Sequence, residues 1–587
     1  MPQNVLVIHP DINVHWQYQN NMDVNYFFNP KKVDEIAKKT RIEFSDYIDN
    51  ISENAKSDID WWVILPVSRN TLHSKVFLDV CYLKYSLEEI SVNDIDLVVC
   101  YSDILKNSLI ELLTKLGKNN VIVESLQNLR YKGYEKIKRV VLSIMYFLYH
   151  SLKRKSCSIF TKGISIHRLL NEKIILLDNF MINNSLVDGK FKDRYYPKLV
   201  DLLPNYNWVY FPHFYGITKY YNIFKQIRKS ASKFLIKDDF LHISDYLWAL
   251  FFPFRFIKYK GNFTEFSGID ISCLMVEEIW NSLIYSYEAL LNFRVFKRLK
   301  ENNIQIIFAV DWFENQIIDK SLNLGIRRYY PRVHTIGYQS LFAPDYYLCI
   351  KPSRYERIAG VIPKTIAVTG KKISETIKEF DSELSVIVAP AFRFNHVWNS
   401  KSSSYSNQQN KFFKLVIGLP LMLDESYQIL SLFKEIKDKI PSTIFICVKV
   451  HPATPYEKIL EFIETNRLER LSISDTPMNE LLNETNLLIS NNSSILVEAI
   501  ASGIPVICVG SQTGLTLNPI PPGIPGKIWR LCFTPDEIFD TIISFSKYGV
   551  EDYAQLEKIG ENVKEDYFEP VNEQTVLAFS DFIQQNV

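Results

Sequence analysis

The sequence predicts an α/β protein of two doubly wound lobes, and three observations carry that prediction. Short apolar runs recur along the chain with helical stretches between them, the alternation that parallel α/β layers require. The 587-residue length exceeds what one core fills, so at least two domains are expected. Late in the chain, strand-like runs at 415–418, 444–450, 487–490 and 504–510 alternate with helical segments at 425–439, 456–465 and 495–502. Together these spell a Rossmann-like sheet whose ligands sit beyond the carboxyl ends of the strands.

Taken in order, the runs at 5–8, 61–65, 97–100 and 121–123 read as strands of a first Rossmann-like sheet. From about 128 to 300 the pattern turns longer, aromatic and mostly helical, with one strand signal at Trp208-Val209-Tyr210-Phe211. This stretch reads as a helical insertion in the N-terminal domain. Strand rhythm returns at 304–310, 335–337 and 365–369, assigned to the same lobe, so the expected domains are 1–385 and 386–587. The Ser/Asn/Gln-rich stretch 399–410 has no apolar periodicity and reads as a flexible surface loop.

Composition narrows the class of function. The 67 Lys and Arg residues nearly cancel the 66 Asp and Glu, leaving no overall field to recruit nucleic acid. The eight cysteines are scattered without a Cys-x-x-Cys pair and read as buried thiols in a reducing compartment. The first residues run straight into a strand pattern rather than a basic segment and a signal-length apolar stretch, so a cytoplasmic protein is expected. No segment reaches the roughly 20 apolar residues that span a bilayer. The run 140–152 (VVLSIMYFLYHSL) is flanked by Lys132, Lys136, Lys138 and Arg139 on one side and Lys153, Arg154 and Lys155 on the other. It fits a helix lying in an anionic interface, making 132–155 a peripheral contact with the inner membrane, and equally a buried helix with charged ends.

Two constellations carry chemistry in the second lobe. Lys449-Val450-His451-Pro452 ends a strand, where an imidazole can bind a phosphate and the proline fixes the turn that aims it; the same residues fit a plain turn. Ser490-Asn491-Asn492-Ser493-Ser494 then opens a helix that Gly503 closes. Free backbone N–H groups and the Ser493 and Ser494 hydroxyls suit a phosphate cradle, and also an ordinary N-cap. Glu498 lies one turn beyond Ser494, facing a ribose or solvent. In the first lobe, Asp311, Glu314 and Gln316 follow a buried run toward the expected cleft, and a carboxylate there suits a general base or a nucleophile. His9-Pro10-Asp11 follows the first strand and fits an acceptor-side role or a β-to-α turn.

The His-Pro strand end, the Ser-Ser helix start and the Glu-Ala-x-x-x-Gly-x-Pro-Val that follows resemble the donor half of GT-B glycosyltransferases using CMP-activated sugars, such as bacterial sialyltransferases and capsular Kdo transferases. A related arrangement occurs in CDP-glycerol glycerophosphotransferases. FLHISDYL at 240–247, DWFENQ at 311–316, Gly337-Tyr338-Gln339 and APAFRF at 389–394 extend the resemblance to bacterial surface carbohydrate (O-antigen and capsule) biosynthesis proteins. Where that family often has a histidine after Gly-Tyr-Gln, this chain has Ser340. The resemblance implies a GT-B fold with an acceptor-side N-terminal domain and a nucleotide-sugar donor domain. It implies transfer of a Kdo-like or nonulosonic sugar from a CMP-sugar to a surface polysaccharide or lipid-linked oligosaccharide acceptor. Donor contacts would fall to Lys449, His451, Pro452, Ser493, Ser494 and Glu498, catalysis to Asp311 or Glu314, and support to Gln316, His9, Gln339 and Arg393. Two other readings are CDP-alditol phosphotransfer and a non-catalytic polysaccharide assembly protein of the same fold. No cofactor and no metal are expected: Asp58-Ile59-Asp60 and Asp94-Ile95-Asp96 precede apolar runs and read as lying at the wrong edge of the sheet.

Overall fold

The computed structural model describes residues 2–126, 132–165, 169, 171–183, 185–187, 190–399 and 413–587; at 132–136, 187 and 260 it describes the backbone alone. Most of the expected flexible loop at 399–410 therefore lies outside the described residues.

The chain opens with a parallel sheet of β1 (Gln3–Ile8), β2 (Val24–Phe27), β3 (Leu97–Cys100) and β4 (Ile122–Ser125), in the order β2-β1-β3-β4. Val5 through Ile8 are buried on both faces, which explains their unbroken apolar run. The expected strand at 61–65 is not one. Asp58 caps a short helix, Ile59–Trp62, and the large apolar side chains Trp61 and Trp62 bury themselves in a helical turn that packs as well as a strand. Asp58 accepts from Lys258 Nζ at 2.6 Å and Asp60 from Arg255 Nε at 2.9 Å, so this Asp-x-Asp pair is committed to structural contacts.

The second sheet corrects the helical-insertion reading. β5 (Lys173–Met181) and β8 (Trp208–Phe214) arise within 128–300, separated by a small ribbon of β6 (Leu186–Val187) and β7 (Lys190–Phe191). After a second small ribbon of β9 (Glu265–Phe266) and β10 (Ile269–Asp270) come β11 (Gln305–Trp312), β12 (His334–Gln339), β13 (Thr365–Val368) and β14 (Val386–Val388). These build one parallel six-stranded sheet, β14-β13-β12-β11-β5-β8. The helices of 128–300 cover this sheet and link it to the first; one continuous core runs from Leu6 through Ile174 and Leu290 to Leu384. Among them, Lys132–Lys162 spans the suspected membrane segment. Its Arg154 is not a free basic flank: it is buried against Glu288, at 2.7 Å, and Asp238, while Lys155 donates to the Asp238 and Leu241 carbonyls. No described helix is long and apolar enough to cross a membrane.

The third sheet follows the sequence reading closely. β15 (Phe413–Gly418), β16 (Ile444–Lys449), β17 (Leu471–Ile473), β18 (Leu487–Ser490), β19 (Val506–Val509) and β20 (Trp529–Cys532) pair in parallel as β17-β16-β15-β18-β19-β20. The order reverses between β15 and β18, the switch point at which doubly wound sheets open a crevice. Two Rossmann-like lobes thus make up the chain, the first carrying two parallel sheets and the second one. The chain crosses between them twice: Ala391, Phe394 and Val397 enter the core of the second lobe, and the last helix, Glu573–Asn586, returns Val576, Phe579 and Ile583 to the first.

Candidate active site

The site assembles from β11 upward. Side chains alternate along a strand, and in β11 Ala309 joins the core shared with the helices while Val310 and Trp312 face the opposite core. Asp311 belongs to the first of these faces and is fully buried. Its Oδ2 accepts from Asn323 Nδ2 at 2.6 Å, so it does not leave the strand toward the cleft as the sequence suggested. Asp178 of β5 and Asp319 of the Ile317–Tyr329 helix lie beside it, with carboxylate oxygens within 4.8 Å of one another. Burial, then the neighbouring carboxylates, pushes Asp311 and Asp319 well above the usual carboxylate range, while Asp178 is paired with His213 Nε2. Among the described residues it is also the group whose oxygens lie close enough to hold a metal ion.

Glu314 behaves differently. The chain turns out of β11, Asn315 takes a left-handed φ of 55°, and Glu314 stays partly exposed. One carboxylate oxygen accepts from Trp312 Nε1 at 2.8 Å and the other from Gln316 Nε2 at 2.6 Å. Gln316 caps the next helix and also reaches Tyr347 Oη at 3.3 Å. Two side chains of the Asp-Trp-Phe-Glu-Asn-Gln run therefore hold a third in one orientation. Tyr195 packs edge-on to Trp312 at 4.5 Å, and burial, then the Glu314 charge, lifts its phenol to about 12. Desolvation lowers His73, and the Glu314 carboxylate opposes that shift.

From the other lobe, His451 stands at the end of β16. Its Nδ1 accepts from the Ala453 N–H at 3.1 Å, which leaves the neutral ring with its proton on Nε2. Burial, then the charges of Arg194 and Arg393, lowers its pKa, so the imidazole is a neutral donor beside two guanidinium groups. Arg393 lies 5.8 Å over the Trp312 ring. Arg194 sits on a turn made by Asp193, whose Oδ1 accepts from the Tyr195 and Tyr196 N–H groups, both at 2.9 Å. Glu314, Tyr195, Arg194, Arg393 and His451 thus form one site with parts from both lobes.

The other expected residues make the following contacts. Glu498 accepts from His396 Nε2 at 2.7 Å and Ser494 Oγ at 3.3 Å. Lys449 Nζ turns to the Ser474 carbonyl at 3.2 Å, and Pro452 is exposed in the turn. Ser493 Oγ accepts weakly from Ile495 N–H at 3.5 Å, and no side chain caps the Ile495–Ala501 helix. Gln339 is buried and donates to the Ile350 carbonyl at 3.2 Å. His9 follows β1 of the first sheet, and its Nδ1 accepts from Asp11 N–H at 3.0 Å within the turn. Sequence reasoning missed Arg194, Tyr195 and His73, because nothing in Asp-Arg-Tyr-Tyr marks a strand-end loop when β5 itself is unrecognised. It also missed Glu425, a half-buried carboxyl lifted to about 7 by desolvation, which accepts from Asn492 Nδ2 at 2.8 and 2.9 Å.

No protein-family model matches the chain, and no curated protein matches it in sequence. Solved structures similar to it include UDP-GlcNAc 2-epimerase from Neisseria meningitidis bound to UDP-GlcNAc, at 11% identity over 70% of this chain and 100% of that one, TM-score 0.41. The α,α-trehalose 6-phosphate synthase of Burkholderia multivorans matches at 8% identity over 70% and 98%, TM-score 0.41. The wall teichoic acid polymerase TagF matches at 10% identity over 77% and 98%, TM-score 0.36. At these scores the likeness is too distant to carry an activity across, and the architecture rests on the two doubly wound sheets themselves.

Proposed function

We propose that this protein is a glycosyltransferase that moves a Kdo-like or nonulosonic sugar from a CMP-linked donor to a bacterial surface polysaccharide or lipid-linked oligosaccharide. The observation that carries this reading is the interlobe site: a neutral His451 Nε2–H with Arg194 and Arg393 on one side, and the oriented Glu314 carboxylate on the other. A phosphate leaving group needs donors and positive charge as its C–O bond breaks. An attacking hydroxyl needs a base. In the step proposed, Glu314 takes the acceptor O–H proton, the acceptor oxygen bonds to the anomeric carbon, and the electron pair of the broken bond departs on the CMP phosphate beside His451, Arg194 and Arg393. Ser493 and Ser494 are proposed to complete the phosphate contacts from the second lobe.

The test is calorimetric titration with CMP, CDP, UDP and GDP in the presence of EDTA. Selective CMP binding that weakens in His451→Ala and Arg393→Gln supports the reading, and preference for UDP or GDP overturns the donor. Turnover with CDP-glycerol alone would replace sugar transfer by alditol phosphotransfer.

A further inference from the structure

The Lys132–Lys162 helix carries apolar side chains on the side that faces away from the protein as well as on the side it buries. Its inward face mixes the two kinds: Ser151, Arg154, Ser158 and Thr161 are buried with Phe147, while Val140, Ile144 and Cys157 pack against the cores beneath. Arg154 pairs with Glu288 at 2.7 Å, and Ser158 Oγ donates to Asp239 at 2.5 Å. Its outward face is apolar. Leu142, Met145, Tyr149, Leu152, Ile159 and Phe160 are 52, 60, 58, 64, 61 and 76% exposed. Their spacing puts them on one side of the helix, a stripe about 27 Å long at 1.5 Å per residue. An amphipathic helix that docks only on its own protein turns its polar face outward. Exposed apolar surface of this extent marks a contact with something outside the molecule.

The charge around the stripe says what that is. Glu135 is the only acid between Lys132 and Lys162 in the sequence, and Lys138, Lys153 and Lys162 border the stripe; Arg139 is held by Glu277 at 3.3 Å and Asn281 at 2.8 Å of the neighbouring helix. Apolar side chains flanked by bases complement an anionic bilayer surface, with the rings at headgroup depth and the ammonium groups near phosphate.

We propose that the outward face of the Lys132–Lys162 helix docks the protein on an anionic lipid surface. This docking does not rest on the transferase reading. The test is flotation of the full chain, with no donor present, on vesicles of phosphatidylcholine with and without phosphatidylglycerol. Binding is expected to the mixed vesicles, to fall with added salt, and to weaken about tenfold or more in Leu142→Glu/Leu152→Glu. The same direction is expected in Lys138→Glu/Lys162→Glu, an independent variant that leaves the apolar stripe intact. CMP titration of each variant serves as the folding control and keeps a failure of docking separate from a failure of the donor reading. The proposal is overturned if the wild-type chain ignores anionic vesicles or if both double variants bind as wild type does. It is also overturned if sedimentation shows a dimer that Leu142→Glu/Leu152→Glu dissolves, for then a second copy covers the stripe.

Discussion

Asp311 and Glu314 are three positions apart, and the structure gives them opposite characters. Glu314 is half-buried and held by two N–H donors, so Glu314→Gln is expected to lower turnover by a factor on the order of 10²–10⁴ with donor binding retained, measured by CMP release and titration calorimetry. Asp311 is buried, and burial with the neighbouring carboxylates favours its neutral form, which Asp311→Asn matches in shape. Asn323, whose Oδ1 has no partner, can turn its amide to meet the new donor. Turnover per folded molecule is expected to stay within about threefold of wild type, because general-base catalysis needs a group in reach of the substrate; a loss as large as that of Glu314→Gln would return the base to Asp311. His451 offers a second residue-scale check. Removing a neighbouring positive charge in Arg393→Gln should raise the imidazole pKa, read by NMR titration. Asp79 connects burial to pH dependence. Burial lifts its carboxyl from 3.8 to about 7, so the folded state holds a proton that the unfolded state has lost between those values. Its contribution to stability is therefore greatest below pH 3.8 and is lost as pH rises toward 7. Asp79→Asn, which keeps an acceptor for Tyr101, should raise stability by about 1–3 kcal/mol at pH 8 and change it little at pH 4, measured by chemical denaturation.

At the scale of elements, the second lobe depends on a close helix crossing. Gly503 ends the Ile495–Ala501 helix with φ of 74°, a left-handed conformation that favours glycine, and the Val550–Tyr567 helix passes directly over it. A Cβ at Gly560 would stand 2.8 Å from Gly503 N and 2.9 Å from the Ile500 carbonyl, both backbone atoms that cannot swing aside. Gly560→Val should therefore destabilise the protein by about 1–3 kcal/mol, the usual cost of overpacking, and a thermal melt checks it. This pair was half legible. Gly503 follows a helical run and precedes Pro505, a stop signal that sequence alone supplies, whereas Gly560 sits inside a helix and only the crossing explains it. The strands divide in the same way. β15, β16, β18 and β19 were readable as apolar runs, while β5 was hidden by the aromatic and polar residues that surround it. Trp61 to Leu65 shows the converse: apolarity specifies burial and leaves helix or strand open.

For the whole molecule, the two lobes are tied by the return of the last helix. Phe579 is buried in the core formed with β11 and β12, far in sequence from both. Phe579→Ala should cost about 3–5 kcal/mol by leaving a cavity, and the expected signature is a lowered melting temperature together with weaker CMP binding as the lobes lose their common contact. The sequence by itself determined the α/β alternation, the doubly wound second lobe, the strand-end place of His451 and the apolar, base-flanked character of 140–152, because each is written in short-range periodicity and flanking residues. Only the tertiary structure decided that the first lobe holds two sheets on one core, that Arg194 and Arg393 stand beside His451, and that Glu314 rather than Asp311 faces the site. The reason is register. Side chains alternate across a strand and a helix buries whichever face its neighbours cover, so one position decides between core and cleft. Which face is covered depends on partners hundreds of residues away.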